Sequence, residues 1–283
     1  MNYFNSKNYS TNCNATWEGR IDLKDIPERF FQFITPRPLY ENINPHHHYG
    51  ILGFCCDEGV KRNLGRVGAK QGPSYIRKNL RNLALHKFKN NILYDYGDII
   101  CNNGDLEASQ KLLSEATKII LAATGTPIIL GGGHETSWGV FQGLASANKS
   151  SNIGIINFDS HFDLRDTDEN ERGSSGTPFL QIARLLQSKN KSFNYMCLGI
   201  QKQTNTAHLY TKARELNVTY IESQKLNKFE ETHSQQSIEK FTSKCDSIYI
   251  SICMDVFAQQ LAPGVSAPQA LGIDPGVFVN LLE

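Results

Sequence analysis

The 283 residues suffice for one large α/β domain that buries a sizeable core without disulfides. The 29 Lys and Arg nearly cancel 28 Asp and Glu, and a net charge of +1 creates no field that would draw nucleic acid or an anionic membrane surface. Neither a secretory apolar core nor an apolar run of roughly 18 residues occurs, so export and membrane insertion are not expected and a cytoplasmic location is.

Residues 1–48 read as a polar, Asn-rich N-terminal arm with little periodicity, anchored by Trp17 and the Phe30–Phe33 cluster. His46, His47 and His48 follow a proline at the mouth of a strand, far from other candidate ligands, and read as a solvated loop rather than a metal site. From residue 49 to 283 the rhythm is regular. Buried strands are expected at Tyr49–Phe54, Asn91–Tyr96, Pro127–Leu130, Ile153–Phe158, Tyr195–Ile200, Val218–Ile221 and Ser247–Cys253. Helices are expected at about 73–84, 107–123, 136–147, 177–188, 206–216 and 234–243, the first opened by Pro73 at its favoured N1 position. This alternation, without repeat or linker, implies a single α/β domain with three αβα layers around a central parallel sheet.

Seven cysteines (13, 55, 56, 101, 197, 245 and 253) include no CxxC pair, so neither a zinc ribbon nor a disulfide framework is suggested. Most lie in apolar segments and read as small buried side chains. Cys253 differs, because it ends a strand beside an aspartate.

In open parallel sheets, ligands collect beyond the carboxyl ends of the strands. Three segments place polar groups there. The first strand runs through Ile128-Ile129-Leu130 into Gly131-Gly132-Gly133-His134-Glu135, where glycines permit a sharp turn. A phosphate loop would need a Lys-Ser/Thr pair, which is missing. The second, Gly154–Phe158, ends in Asp159-Ser-His161-Phe-Asp163. In an extended segment that spacing turns Asp159, His161 and Asp163 in one direction, an arrangement that calls for a cation; a solvated polar loop is the plainer alternative. The third, Ser247–Ile252, leads to Cys253-Met-Asp255, whose alternation puts Cys253 and Asp255 on one side, although Asp255 alone could be a helix cap. Two imidazoles, at least three carboxylates and one thiol favour paired Mn2+ over a structural zinc. Such ions can ionise a shared water near neutral pH for attack on an amidine or guanidine carbon.

In this order GGGHE, NFDSHFD and SICMD resemble the metal motifs of the ureohydrolase (arginase/agmatinase) family. Trp17–Asp22, Gly65–Ala69 with Gly72-Pro73 and Ile76-Arg77, and Ser174–Phe179 are similar to its formimidoylglutamase branch. The resemblance implies an arginase-like fold and a cytoplasmic manganese hydrolase acting on linear amidines, with two Mn2+ per chain. The reaction implied is conversion of N-formimidoyl-L-glutamate to L-glutamate and formamide in histidine degradation. It further implies that His134 and Asp163 serve one ion, His161 and Asp255 the other, and that Asp159 bridges them. Asp159 and His161 thus carry the catalytic assignment. A small-molecule substrate is the expected partner, nucleic acid and membrane are not, and a homo-oligomer stays open.

Three departures qualify the resemblance. Ser175 stands where arginases and agmatinases carry a proton-shuttling histidine, which speaks against the usual guanidine substrates. Arg165 stands where arginases have a small amide; a guanidinium can clamp a carboxylate, so Arg165 and Ser175 are the substrate-binding candidates, with a loop-capping arginine as the plainer alternative. Cys253 replaces the first Asp of an Asp-x-Asp pair, so the second ion is expected to be weaker or different. The family also continues beyond Asp274–Phe278 through a helix, a strand with an acidic residue near the substrate and a final helix, so the C-terminal part of that pattern is expected to be missing here. An agmatinase-like or guanidino-acid hydrolase, a two-metal phosphoesterase, and a catalytically degraded metal-binding relative are the alternatives.

Overall fold

The structure, a computed structural model, describes residues 4, 7–11, 17–39, 46–86, 92–148, 152–228 and 231–283; Cys13 and Asn91 lie outside them. The chain divides into two compact units, Met1–Gly59 with Val67–Ala147, and Val60–Arg66 with Asn148–Glu283.

The first unit is built on β1 (Tyr9–Ser10), β2 (Ile34–Pro36), β3 (His48–Cys55), the short α1 (Glu58–Arg62) leading out of it, α2 (Gly72–Leu80), β4 (Leu93–Ile100), α3 (Leu106–Ala122), β5 (Gly125–Leu130) and α4 (Thr136–Ala147). Strand β3 lies between β4 and β5, parallel to both, and is buried along nearly its whole length, as an unbroken apolar run requires. The arm supplies two strands that periodicity does not reveal. Both lie along β4, β2 parallel and β1 antiparallel. Trp17 stacks on Phe30 at 5.6 Å between ring centres and joins a core of Ile34, Ile51, Leu93 and Leu130. Its indole N–H donates to Asp95 Oδ2 at 2.6 Å. Helices α3 and α4 pack closely through Gly143, where a Cβ would meet the Ser114 carbonyl oxygen at 2.5 Å.

His48 corrects the solvated-loop expectation. It opens β3 with no exposed surface, its Nδ1 against His46 O at 3.0 Å and its Nε2 against the Tyr96 hydroxyl at 2.9 Å. A neutral ring satisfies both contacts, with Nδ1–H donating and Nε2 accepting.

The second unit contains β6 (Ile153–Phe158), α5 (Pro178–Ser188), β7 (Asn194–Ile200), α6 (Ala207–Glu215), β8 (Thr219–Glu222), α7 (Ser223–Leu226), α8 (Glu231–Thr242), β9 (Ser247–Ile252) and α9 (Pro275–Leu282). Its sheet is wholly parallel in the order β8-β7-β6-β9, with Phe158 opposite Leu198 on one side and Ile252 on the other. Ile156, Phe158, Met196, Leu198, Val256 and Ile273 form its core, against which Phe278 of α9 packs. The strands thus form two sheets, one in each unit, and every expected strand and helix is present within a few residues of its predicted bounds. Among the described residues no helix is long and apolar enough to cross a membrane.

Candidate metal centre

Asp159 is the first residue beyond β6 and is fully buried. The ladder fixes it: its amide donates to Leu198 O at 2.9 Å, while the Cys253 amide donates to Phe158 O at 2.9 Å. Two neighbouring parallel strands therefore end side by side, and the residues that follow them face one another. The His161 amide donates to Asp159 Oδ1 at 2.8 Å, and its ring Nδ1 lies 3.4 Å from Asp159 Oδ1 and 3.2 Å from Asp255 Oδ2. Donor atoms of Asp159, His161 and Asp255 all lie within 4.8 Å of one another. The Cys253 sulfur is likewise within 4.8 Å of an Asp159 carboxylate oxygen.

The run 159–163 is bent rather than extended, so alternation is not what makes it converge. Asp163 has φ = +49°, a left-handed conformation that Asp tolerates better than most residues. Convergence comes instead from buried braces that the sequence analysis did not single out. Asn205 Nδ2 donates to Ser160 O at 2.8 Å and its Oδ1 accepts from the Phe162 amide at 3.1 Å. Ser160 Oγ donates to Asp255 O at 2.7 Å, which ties the loop after β6 to the turn after β9. Asn157 Nδ2 donates to Asp159 Oδ2 at 3.1 Å and to the Tyr195 hydroxyl at 3.0 Å, and that hydroxyl donates to Phe162 O at 3.1 Å. An amide inside an otherwise apolar strand was the available signal for Asn157.

The three side chains perturb one another strongly. Burial, then the Asp159 charge, raises the Asp255 carboxyl to about 6, against the opposing pull of His161. Burial acts to lower His161, but its contacts with Asp159 and Asp255 outweigh this and push it up to about 11. Asp255 Oδ1 is buried with no hydrogen-bond partner. A divalent cation among these groups would satisfy that oxygen and offset the crowded carboxylates, so the donors present fit a metal ion.

His134 lies in the first unit, two residues before α4, with its carbonyl accepting from the Ser137 amide at 3.0 Å. The preceding turn needs glycine: a Cβ on Gly132 would meet Cys56 O at 1.8 Å. Glu135 is buried beside it, accepting from the Gly59 amide at 3.0 Å, and burial raises its carboxyl to about 7. Arg165 and Ser175 are brought together. The Arg165 amide donates to Gly176 O at 2.9 Å, and its exposed side chain lies along Gly176. Ser175 Oγ accepts from Asn63 Nδ2 at 3.1 Å. Of the other cysteines, Cys56 and Cys197 are buried, whereas Cys55, Cys101 and Cys245 are partly exposed.

Oxygen and nitrogen donors gathered past the carboxyl ends of parallel strands mark an α/β protein with a candidate metal centre of the hydrolase type. The chain belongs to the Arginase family, whose pattern matches residues 47–283. It is 42% identical to a formimidoylglutamase of Legionella pneumophila over 98% of this chain and 85% of that protein. A formimidoylglutamase of Clostridium tetani is 39% identical over 96% of this chain and 83% of its own length. Among solved structures, Trypanosoma cruzi formiminoglutamase with Mn2+ superposes with a TM-score of 0.74 at 26% identity, covering 86% of this chain and 82% of that one. Bacillus subtilis formimidoylglutamase, at 23% identity and TM-score 0.78 over 92% and 80% of the two chains, shows the same fold.

Proposed function

We propose that this chain hydrolyses N-formimidoyl-L-glutamate to L-glutamate and formamide, a step in histidine degradation. The identity of 42% with a formimidoylglutamase over 98% of the chain carries this reading. The clustered donors of Asp159, His161 and Asp255 supply the means.

Mn2+ is the expected cofactor, two ions per chain, and when bound it supplies a water that ionises near neutral pH. Asp159 would bridge the pair, with His161 and Asp255 holding one ion. The motif residues His134 and Asp163 would serve the other. Asn157, Asn205 and Ser160 set the angles of these ligands, and fixed ligand geometry is what keeps such a centre selective and reactive. The fully buried Phe162 and Leu164 keep bulk water from the loop behind the ligands.

Substrate recognition falls to the neighbouring pair. Arg165 is proposed to clamp a substrate carboxylate bidentately. Ser175 accepts from Asn63, so its own hydroxyl proton is left to donate to the substrate. It offers no imidazole to shuttle protons for a guanidine. With Mn2+ present, the chain is therefore expected to release formamide and glutamate from formimidoylglutamate and no urea from arginine or agmatine. Urea release at a comparable rate would assign it to the agmatinase-like branch instead.

A further inference from the structure

Cys253 departs from the Asp-x-Asp pattern of the ureohydrolases at the heart of the centre. It stands at the carboxyl end of β9, one rung beyond the Phe158–Ile252 pair, where its amide is tied to Phe158 O at 2.9 Å. Its sulfur is within 4.8 Å of an Asp159 carboxylate oxygen. Asp159 in turn lies within 4.8 Å of the donors of His161 and Asp255. The centre is therefore chemically lopsided about Asp159. On one side stand an imidazole and a carboxylate whose buried Oδ1 lacks a hydrogen-bond partner; on the other stands a sulfur. Oxygen-rich sets suit Mn2+, whereas a sulfur donor favours softer divalent ions such as Zn2+, Fe2+ and Co2+.

Cys253 is a free cysteine.

We infer that Cys253 makes the two metal positions unlike, so that the position on its side takes a thiophilic divalent ion in preference to Mn2+. The inference rests on the proposed metal-dependent function for its setting, but not on the identity of the substrate. Ligation breaks the S–H bond heterolytically: sulfur keeps the electron pair and shares it with the ion, and the proton leaves to water. No electron is transferred.

The test uses the whole chain, stripped with a chelator and titrated with Co2+, whose bond to a thiolate gives intense near-ultraviolet charge-transfer absorption. The native chain is expected to show this band, and Cys253→Ser and Cys253→Asp to lose it. Outer contacts alone move metal affinity by roughly 10–100-fold, so Cys253→Asp should tighten the weaker Mn2+ position by about tenfold or more. A native chain without the band overturns the inference, as does a band that survives both substitutions and so belongs to another cysteine such as Cys197. The native titration is decisive by itself if a variant fails to fold. Formamide assays on the same preparation separate the two claims. A band without formamide release leaves this inference standing and removes the proposed reaction, and formamide release without a band does the reverse.

Discussion

Arg165 carries the specificity argument on a single side chain. It sits two residues beyond Asp163, an exposed residue whose backbone is pinned to Gly176. A charge-assisted hydrogen-bonded contact is worth roughly 10–100-fold in binding once water is excluded. Arg165→Met is therefore expected to raise KM for formimidoylglutamate by about that factor with kcat changed little, and Arg165→Lys to recover only part of the loss, because an ammonium cannot make the paired contact. Steady-state kinetics on the two variants checks this. An unchanged KM would return Arg165 to the role of a loop residue.

The same scale shows what a sequence can and cannot disclose about a site. Asp159, His161 and Asp255 were identified by residue type and by their place after apolar runs, and the structure does bring them together. The extended alternation invoked for 159–163 is absent; Asp163 turns left-handed, and Asn205, Ser160 and Asn157 impose the geometry. Asn157 alone lies close in sequence to what it holds, two residues from Asp159, whereas its contact with Tyr195 spans 38 residues, that of Asn205 with Ser160 spans 45 and that of Ser160 with Asp255 spans 95, and these distant contacts leave no local pattern to find.

Among the elements, buried parallel strands were the easiest to read, because a strand covered on both faces is a continuous apolar run. Strands β1 and β2 escaped, being two and three residues long and defined only by their pairing with β4. What fastens this edge is polar. Arg77 of α2 is 1% exposed and binds Asp95 through Nε and a terminal nitrogen at 2.8 and 2.9 Å, with Asp98 at 2.6 Å. Trp17 shares Asp95. Removing one partner of a buried pair strands the other charge, so Arg77→Met is expected to cost about 3–5 kcal/mol in urea unfolding. A loss below about 1 kcal/mol, the range of exposed ion pairs, would show that the pair is not buried in solution.

His48 adds a pH dependence to β3. Burial lowers its pKa from 6.5, opposed by its contact with His46 O. Unfolded chains thus bind this proton before folded ones do, so the stability that His48 contributes is complete above about pH 6.5 and declines as pH falls below it. His48→Gln keeps a donor and an acceptor without the titration. The difference between the native and variant unfolding curves is expected to be flat above pH 7 and to shift in favour of the variant toward pH 5. A difference independent of pH would mean that His48 is solvated after all.

At the scale of the molecule, each unit builds its own parallel-strand framework, and the chain spans 85% of its Legionella relative. Fold class was legible because strand–helix alternation is a property of the whole sequence and tolerates local errors. The division into two sheets was not, since it depends on which strand edges meet. The proposed function rests on the chemistry at the carboxyl ends of β6 and β9, and there the most direct measurement is formamide release from formimidoylglutamate as the chelator-stripped chain is titrated with Mn2+. No formamide is expected from the stripped chain, and the rate is expected to climb with added Mn2+ until the centre is filled. Undiminished formamide release from a chain shown to be free of metal would contradict the proposed metal dependence.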